Sequence, residues 1–246
     1  MSVTTRKSTM SVSKRTAGAA MVAFALAANI PFALLVDRFG YDDVLREPPL
    51  QVLEAFRAGG PELILIWLGF ALCALAFLWV SAWTGQAIRE GGGRWPAWAA
   101  AAGAASGVAQ AVGLSRWVFV VPGLADRALD GSATESAVAI GTYQALHQFA
   151  GVAIGEWLGQ TLLAAWTAAV GLALTRAPLA RGFWTRLLGV AALILAPLWI
   201  VGQVELLATV DPTAFPEFQI TQWVFTAWLG WLLALGVTWL VQGETK

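Results

Sequence analysis

Charged side chains are scarce in this sequence. They account for 12% of its 246 residues, and basic and acidic residues balance at 15 each. A soluble domain carries about 25% charged residues, so the composition argues against one. The absence of a basic excess also argues against a nucleic-acid partner.

Cysteine and histidine occur once each, as Cys73 and His147. A single cysteine cannot form an internal disulfide, and the two residues are too few for a structural zinc site or a bis-histidine haem. The sequence contains no G-x-S-x-G elbow and no glycine-rich phosphate loop. It therefore identifies no catalytic residue, metal ligand or cofactor, and a non-enzymatic role is the expectation.

Long apolar runs dominate instead, and 58% of the residues are hydrophobic. Six runs approach or exceed the roughly 20 residues that cross the hydrocarbon core as a helix. They predict an all-α integral membrane protein, a six-transmembrane-helix bundle forming a single domain over residues 17–241. A basic, disordered tail (1–16) and a short tail (242–246) flank it. The predicted helices are about 17–36, 62–84, 95–121, 149–175, 183–210 and 218–241.

The flanking charges are sorted by side. Ten of the Lys and Arg residues fall at the two termini and in the loops between helices 2 and 3 and between helices 4 and 5, and five fall on the opposite side. Eleven of the acidic residues lie in or beside the loops of that opposite side. The positive-inside rule then predicts a bacterial inner-membrane protein with both termini in the cytoplasm.

The two outer segments, residues 37–60 and 123–148, are expected to form a small extracytoplasmic helical cap. Pro48-Pro49 suits the first turn of a helix, and Leu50, Leu53 and Phe56 follow at helical spacing, so a short amphipathic helix is expected there. Residues 124–132 are expected to form a polar loop. The proline-free stretch 133–175 allows either a helix 4 that projects beyond the bilayer or a separate interfacial helix before it.

Small residues repeat every four positions in two helices. Gly151, Gly155 and Gly159 form one smooth ridge on helix 4, and Gly103 and Gly107 form another on helix 3. Such ridges allow close helix packing, and that is the expected role. The alternative is a groove for a flat ligand or a lipid.

Polar residues within the apolar runs are the candidates for a functional site, because a charge in the bilayer must find a partner. Arg116, Glu156 and Glu205 each lie about 30 Å from the cytoplasmic end of their helix, at the outer boundary of the hydrocarbon. His147 and Gln144 lie slightly farther out, and Gln160 lies one turn inward. These six residues predict a polar, ligand-binding pocket open to the outer face; the alternative is a structural ion pair.

Tryptophan is abundant, with 14 residues. Seven lie near helix ends, as an interfacial belt requires, and six lie deeper. The deeper tryptophans are expected to pack in the protein core or to face lipid. Their alternative role is stacking on a pigment, a quinone or a sterol-like ligand.

Three stretches carry a family resemblance: Tyr41 to Pro48, Arg116 to Pro122, and Tyr143 to Gly159. They resemble a group of uncharacterised bacterial multi-pass membrane proteins, domain of unknown function 4386. The resemblance covers roughly residues 17–210 and is most specific between His147 and Glu156. It implies a six-helix membrane fold, and no catalytic residue transfers with it.

Three classes of function remain. The first is a binding or accessory protein, alone or as a subunit beside other membrane proteins, that holds a lipid or hydrophobic ligand in the outer pocket. The second is a small proton- or cation-coupled transporter using Glu156 and Glu205, although no inverted repeat is evident. The third is an intramembrane enzyme using His147 and Glu156, which lie nine positions apart and half a turn out of phase on an ideal α-helix.

The charge count generates a topology prediction. A reporter that is active only in the periplasm should be inactive when fused at Lys246 and active when inserted near Gly131, because the flanking charges place these sites on opposite sides. Enzymatic activity of the two fusions measures this directly. Activity of the Lys246 fusion would contradict the predicted orientation.

Overall fold

The computed structural model describes residues 13–41, 43–89, 93–176, 179, 182–211, 213–215 and 220–242. These residues are almost entirely helical and include no strand. Six helical segments are long and apolar enough to cross a membrane, so the predicted all-α, six-span membrane fold is confirmed. Most of the predicted tails, residues 1–12 and 243–246, lies outside the described residues.

The helices follow one another with short connections. In chain order they are α1 Lys14–Phe39, α2 Pro49–Ala58, α3 Gly60–Ala87, α4 Trp95–Phe119, α5 Val121–Asp130, α6 Ala133–Leu146, a π-helix His147–Leu158, α7 Gly159–Leu174, α8 Phe183–Gly202, α9 Glu205–Ala208 and α10 Ile220–Gln242. A 3₁₀ turn, Asp43–Arg46, joins α1 to α2.

Capping residues extend the first span beyond its apolar run. Ser13 accepts a hydrogen bond from the Thr16 amide at 3.1 Å, which starts α1 at Lys14. Gly40 ends it in the left-handed region, with φ of 68°. Residues 14–16, predicted to belong to the tail, are therefore helical.

The expected polar loop at 124–132 is wrong for most of its length. Pro122 lies in the first turn of α5, which continues to Asp130 and buries Leu124, Ala125 and Ala128 on one face. The helix ends there, and Ser132 and Glu135 form a capping box that starts α6. From Ala133 to Leu174 the chain is then continuously helical, so helix 4 projects beyond its apolar core without a separate interfacial helix.

Three short helices form the cap. The amphipathic helix after Pro48 is confirmed as α2, which buries Val52, Leu53 and Phe56, whereas Leu50 is exposed. Helices α2, α5 and α6 enclose an apolar cluster with the ends of α1, α3 and α4. An ion pair of 2.6 Å between Arg57 and Asp130 joins α2 to α5. The cap therefore closes the end of the bundle where α1 ends.

The spanning helices form a ring in chain order. α1 packs on α3, α3 on α4, α4 on the π-helix and α7, α7 on α8, α8 on α10, and α10 returns to α1. The closing contact is tight, because a Cβ on Gly18 would lie 2.6 Å from the Gly236 carbonyl oxygen. The start of α1 thus lies beside the end of α10, and both are at the end opposite the cap.

The glycines of both ridges contact neighbouring helices. Gly103 and Gly107 of α4 face α3, where added Cβ atoms would lie 2.4 Å from Ser81 Cβ and 2.5 Å from the Ala74 carbonyl oxygen. The second ridge faces α4. Cβ atoms on Gly151 and Gly159 would lie 2.5 Å from Arg116 Nη2 and 2.7 Å from Gln110 Cγ, and Gly155 packs on Gly113.

Gly155→Leu is expected to lower the free energy of unfolding by about 1–3 kcal/mol, the usual cost of overpacking. A Cβ at this position would already lie 3.1 Å from Gly113 Cα, so the larger side chain must separate the helices. Gly230→Leu on α10 is the matched control, since no atom lies within 4 Å of its added Cβ. Thermal unfolding in detergent compares the two, and equal melting temperatures would contradict the close packing.

Candidate functional site: a central cavity

A cavity of about 520 Å³ lies within the ring, and all six spanning segments contribute to its wall. Its cap-side part is polar and includes Arg116, His147, Glu156 and Glu205. Its deeper part is apolar and aromatic. The ring arrangement explains this position, because six helices packed side by side in a circle leave space along their common axis.

The deep part is built from aromatic side chains of α1, α3 and α10, three consecutive helices of the ring. The Phe77 ring centroid lies 5.2 Å from that of Phe24 and 5.7 Å from that of Trp228. Trp166, behind them, contacts Phe77 at 5.0 Å. Rings at these separations pack favourably and give a rigid apolar end to the cavity.

Arg116 is the buried charge in the wall, with a relative exposure of 6%. Its Nη1 donates to the Gly113 carbonyl, and its Nη2 lies 3.4 Å from His147 Nδ1. The guanidinium carbon lies 5.1 Å from the Trp117 ring centroid, within cation–π range. Its Nε has no hydrogen-bond partner among the described residues. One donor of a buried cation is therefore without a hydrogen bond among the described residues.

Glu156 also lines the cavity, and its charge interacts favourably with that of Arg116. The two residues come from different helices, α4 and the π-helix, and both line the same cavity. Gln160, one turn further along, also lines the wall, and its Oε1 is buried without a partner in the part of the chain that the structure describes. Arg116 and Gln160 thus both line the cavity, and each has one buried polar atom without a hydrogen-bond partner among the described residues.

The π-helix changes the relation between His147 and Glu156. Nine positions span about two and a half turns of an α-helix but roughly two turns of a π-helix, whose hydrogen bonds run from i to i+5. The two side chains therefore lie in phase, and both line the cavity. The expectation that they are half a turn apart is wrong, because it assumed α-helical geometry.

Of the two remaining predicted residues, Glu205 lines the cavity and Gln144 does not. Both carboxylate oxygens of Glu205 accept backbone hydrogen bonds at the start of α10, one from Ile220 and one from Thr221 at 3.4 Å. Glu205 lines the cavity while holding α9 against α10. Gln144 is exposed on α6 and lies outside the cavity wall. Depth along a helix indicated its level but not its side.

Five tryptophans line the cavity and none was among the predicted site residues; two of them carry an indole nitrogen without a partner. Trp67 and Trp199 are buried, and their indole Nε1 atoms have no hydrogen-bond partner within the described ranges. A deep tryptophan gives no sign in the sequence of which way its ring faces, so no pattern distinguished these two. Among the residues described, no three His, Cys, Asp or Glu side chains are grouped to hold a metal ion.

The Arg116–Glu156 pair generates a prediction of coupled stability. Glu156→Gln alone should destabilise the protein by about 3 kcal/mol, because it leaves a buried cation without its counter-charge. Glu156→Gln combined with Arg116→Gln should destabilise it less, since no charge is then stranded. Thermal unfolding of the wild type, both single variants and the double variant measures the coupling.

The exposed pair Arg57–Asp130 is the control for this cycle. Its coupling should stay below about 1 kcal/mol, as is usual for solvent-exposed ion pairs. Purely additive effects of the Arg116 and Glu156 substitutions would show that the two charges do not stabilise each other.

A family match extends along nearly the whole chain. The family described as Domain of unknown function (DUF4386) matches residues 16–236, a longer range than the sequence resemblance indicated. No curated protein and no solved structure matches the chain. The protein therefore belongs to the DUF4386 family, and the resemblance seen in its sequence is confirmed.

Proposed function

We propose that this protein is a binding or accessory membrane protein that holds a hydrophobic ligand with one polar end in its central cavity. The observation that carries the proposal is a set of buried polar atoms without partners, on residues that line the cavity. They are Arg116 Nε, Trp67 Nε1, Trp199 Nε1 and Gln160 Oε1, within the part of the chain that the structure describes.

Energetics and size support a bound ligand. A buried donor or acceptor without a partner costs about 1–3 kcal/mol, and a ligand that supplies the missing hydrogen bonds recovers much of that cost. A volume of about 520 Å³ falls within the range of roughly 300–1,000 Å³ typical of small-molecule sites. The aromatic deep end offers flat apolar surfaces to the rest of the ligand.

The cellular setting is part of the proposal. The charge distribution favours a bacterial inner membrane with both termini in the cytoplasm. The cap and the polar part of the cavity would then face the outer leaflet. The protein acts alone or as a subunit beside other membrane proteins. The polar end of its ligand would lie at the level of the outer headgroups.

An intramembrane enzyme is the second candidate, and the π-helix favours it. His147 and Glu156 line the same cavity in phase, as an acid and base acting on one ligand would require. A cation-coupled transporter gains less support, because the Glu205 carboxylate is engaged by the start of α10. A chemically altered ligand released by wild-type protein but not by His147→Gln would favour the enzyme.

Retention of a ligand tests the binding proposal. Wild-type protein purified in mild detergent should carry a small molecule detectable by native mass spectrometry and by solvent extraction. Gln160→Leu should lower the bound fraction about tenfold at limiting ligand, because loss of one hydrogen bond is worth about 1.4 kcal/mol.

A steric pair provides the control. Ala28→Phe fills part of the cavity from α1 and should also reduce retention, whereas Ala33→Phe changes an exposed residue of the same helix that is not in the wall. Equal retention by both variants, or a wild-type protein that carries no small molecule under these conditions, would overturn the proposal.

A further inference from the structure

We propose that the cavity opens sideways into the bilayer, between the cap-side halves of α1 and α10. Through this mouth it admits an amphiphile from the surrounding leaflet, with its polar end towards the cap. The identity of the occupant rests on the proposed function, but the position of the mouth does not.

The exposure of the wall residues locates the mouth. Val36 of α1 and Trp223 of α10 both line the cavity, yet they are 47% and 71% exposed. Thr226, also exposed, lines it one turn below Trp223. Deeper wall residues on the same two helices, such as Ala28 and Trp228, are buried. The wall is therefore open near the cap, where Asp43, Arg46 and Thr209 are exposed as well, and closed below it.

Helix packing explains why the opening lies there. At the end away from the cap, α1 and α10 touch through their backbones at Gly18 and Gly236. Towards the cap the two helices meet through side chains, with the Phe32 and Phe225 ring centroids 5.2 Å apart. A contact between aromatic side chains can part by rotamer changes, whereas a backbone contact between glycines cannot.

The direction of polarity in the cavity matches that of a leaflet. Arg46 and Gln222 lie at the cap end of the wall, and Phe24 lies fifteen residues from the cap end of α1, about 22 Å deeper. An amphiphile in the adjoining leaflet has the same order, with its polar group at the interface and its apolar part below. It can therefore move into the cavity without turning over.

The cavity volume narrows the class of ligand. About 520 Å³ suits a drug-sized molecule, so the occupant is an amphiphile with a single apolar chain or a compact ring body. Arg116 and Glu156 together add no net charge to the wall. A polar end that both accepts and donates hydrogen bonds therefore fits better than one carrying a strong net charge.

The single cysteine provides a reporter in the native chain, because Cys73 lines the cavity. The full-length protein is reconstituted in phosphatidylcholine vesicles and treated with N-phenylmaleimide, which partitions into lipid, or with a positively charged methanethiosulfonate. Intact mass measures modification of Cys73. When each rate is divided by the same reagent's rate with a free thiol in water, the value for the lipid-soluble reagent should be at least about tenfold higher, since a charged reagent must leave water to enter by this route.

Substitutions at the mouth test the route itself. Thr226→Trp should slow modification by N-phenylmaleimide several-fold, whereas Ala227→Trp, at the neighbouring exposed residue outside the wall, should not. Val36→Trp and Ile30→Trp form a second pair on α1, because Ile30 is 63% exposed and does not line the cavity. If one mouth variant misfolds, the other pair still decides the outcome.

Equal modification rates in the mouth and control variants would overturn the lateral mouth, and so would a higher normalised rate for the charged reagent. This result is separable from the ligand-retention test. If the purified protein carries no ligand but the mouth variants slow labelling, the proposed occupant is overturned and the lateral mouth is supported. If the protein retains a ligand but the mouth variants label as fast as their controls, the mouth is overturned and the bound ligand is supported.

Discussion

The backbone contact between Gly113 of α4 and Gly155 of the π-helix is the constraint on which the cavity wall depends. Cβ atoms on these residues would lie 2.7 Å and 3.1 Å from the opposing Cα atoms, so only glycine allows the two helices to approach this far. The same approach places the Arg116 guanidinium over Gly151 and beside His147. A larger residue at either glycine would move the polar wall as a unit.

This packing also determines how a cation can be kept inside the bundle. A charged side chain within a membrane-spanning segment is costly unless it finds partners, and several weak interactions offset that cost here. Gly113, His147, Trp117 and Glu156 each contribute to stabilising the guanidinium. The Trp117 ring is itself stacked on Trp67, 4.8 Å away, which couples the charge to the apolar cluster under the cap.

The sequence predicted the parts of the fold that depend on local composition. Apolar runs identified all six spans, and proline with helical spacing identified α2. The missed features depend on individual contacts. Ser13 extends α1 through one hydrogen bond, and α5 was mistaken for a loop because its buried face consists mainly of alanine and leucine among polar residues.

Residue counting gives the level of a side chain along its helix, but it does not give the side of the helix on which that side chain lies. Counting residues along the helices placed Arg116 and Glu156 at one level, and the structure has both in one wall. The same count included Gln144, which is exposed on α6. The π-helix had no recognised signal, since it changes the hydrogen-bonding partner of each amide without requiring particular side chains. The closed ring also escaped prediction, because it depends on which helices pair in three dimensions.

The order of the ring has a consequence for assembly. The first and last spans meet at its seam, so the cavity is not enclosed until nearly the whole chain has been inserted. Until α10 arrives, the polar wall of α4 and the π-helix faces an open arc of five spans. The Gly18–Gly236 contact then joins α1 to α10 and closes the ring at the end away from the cap.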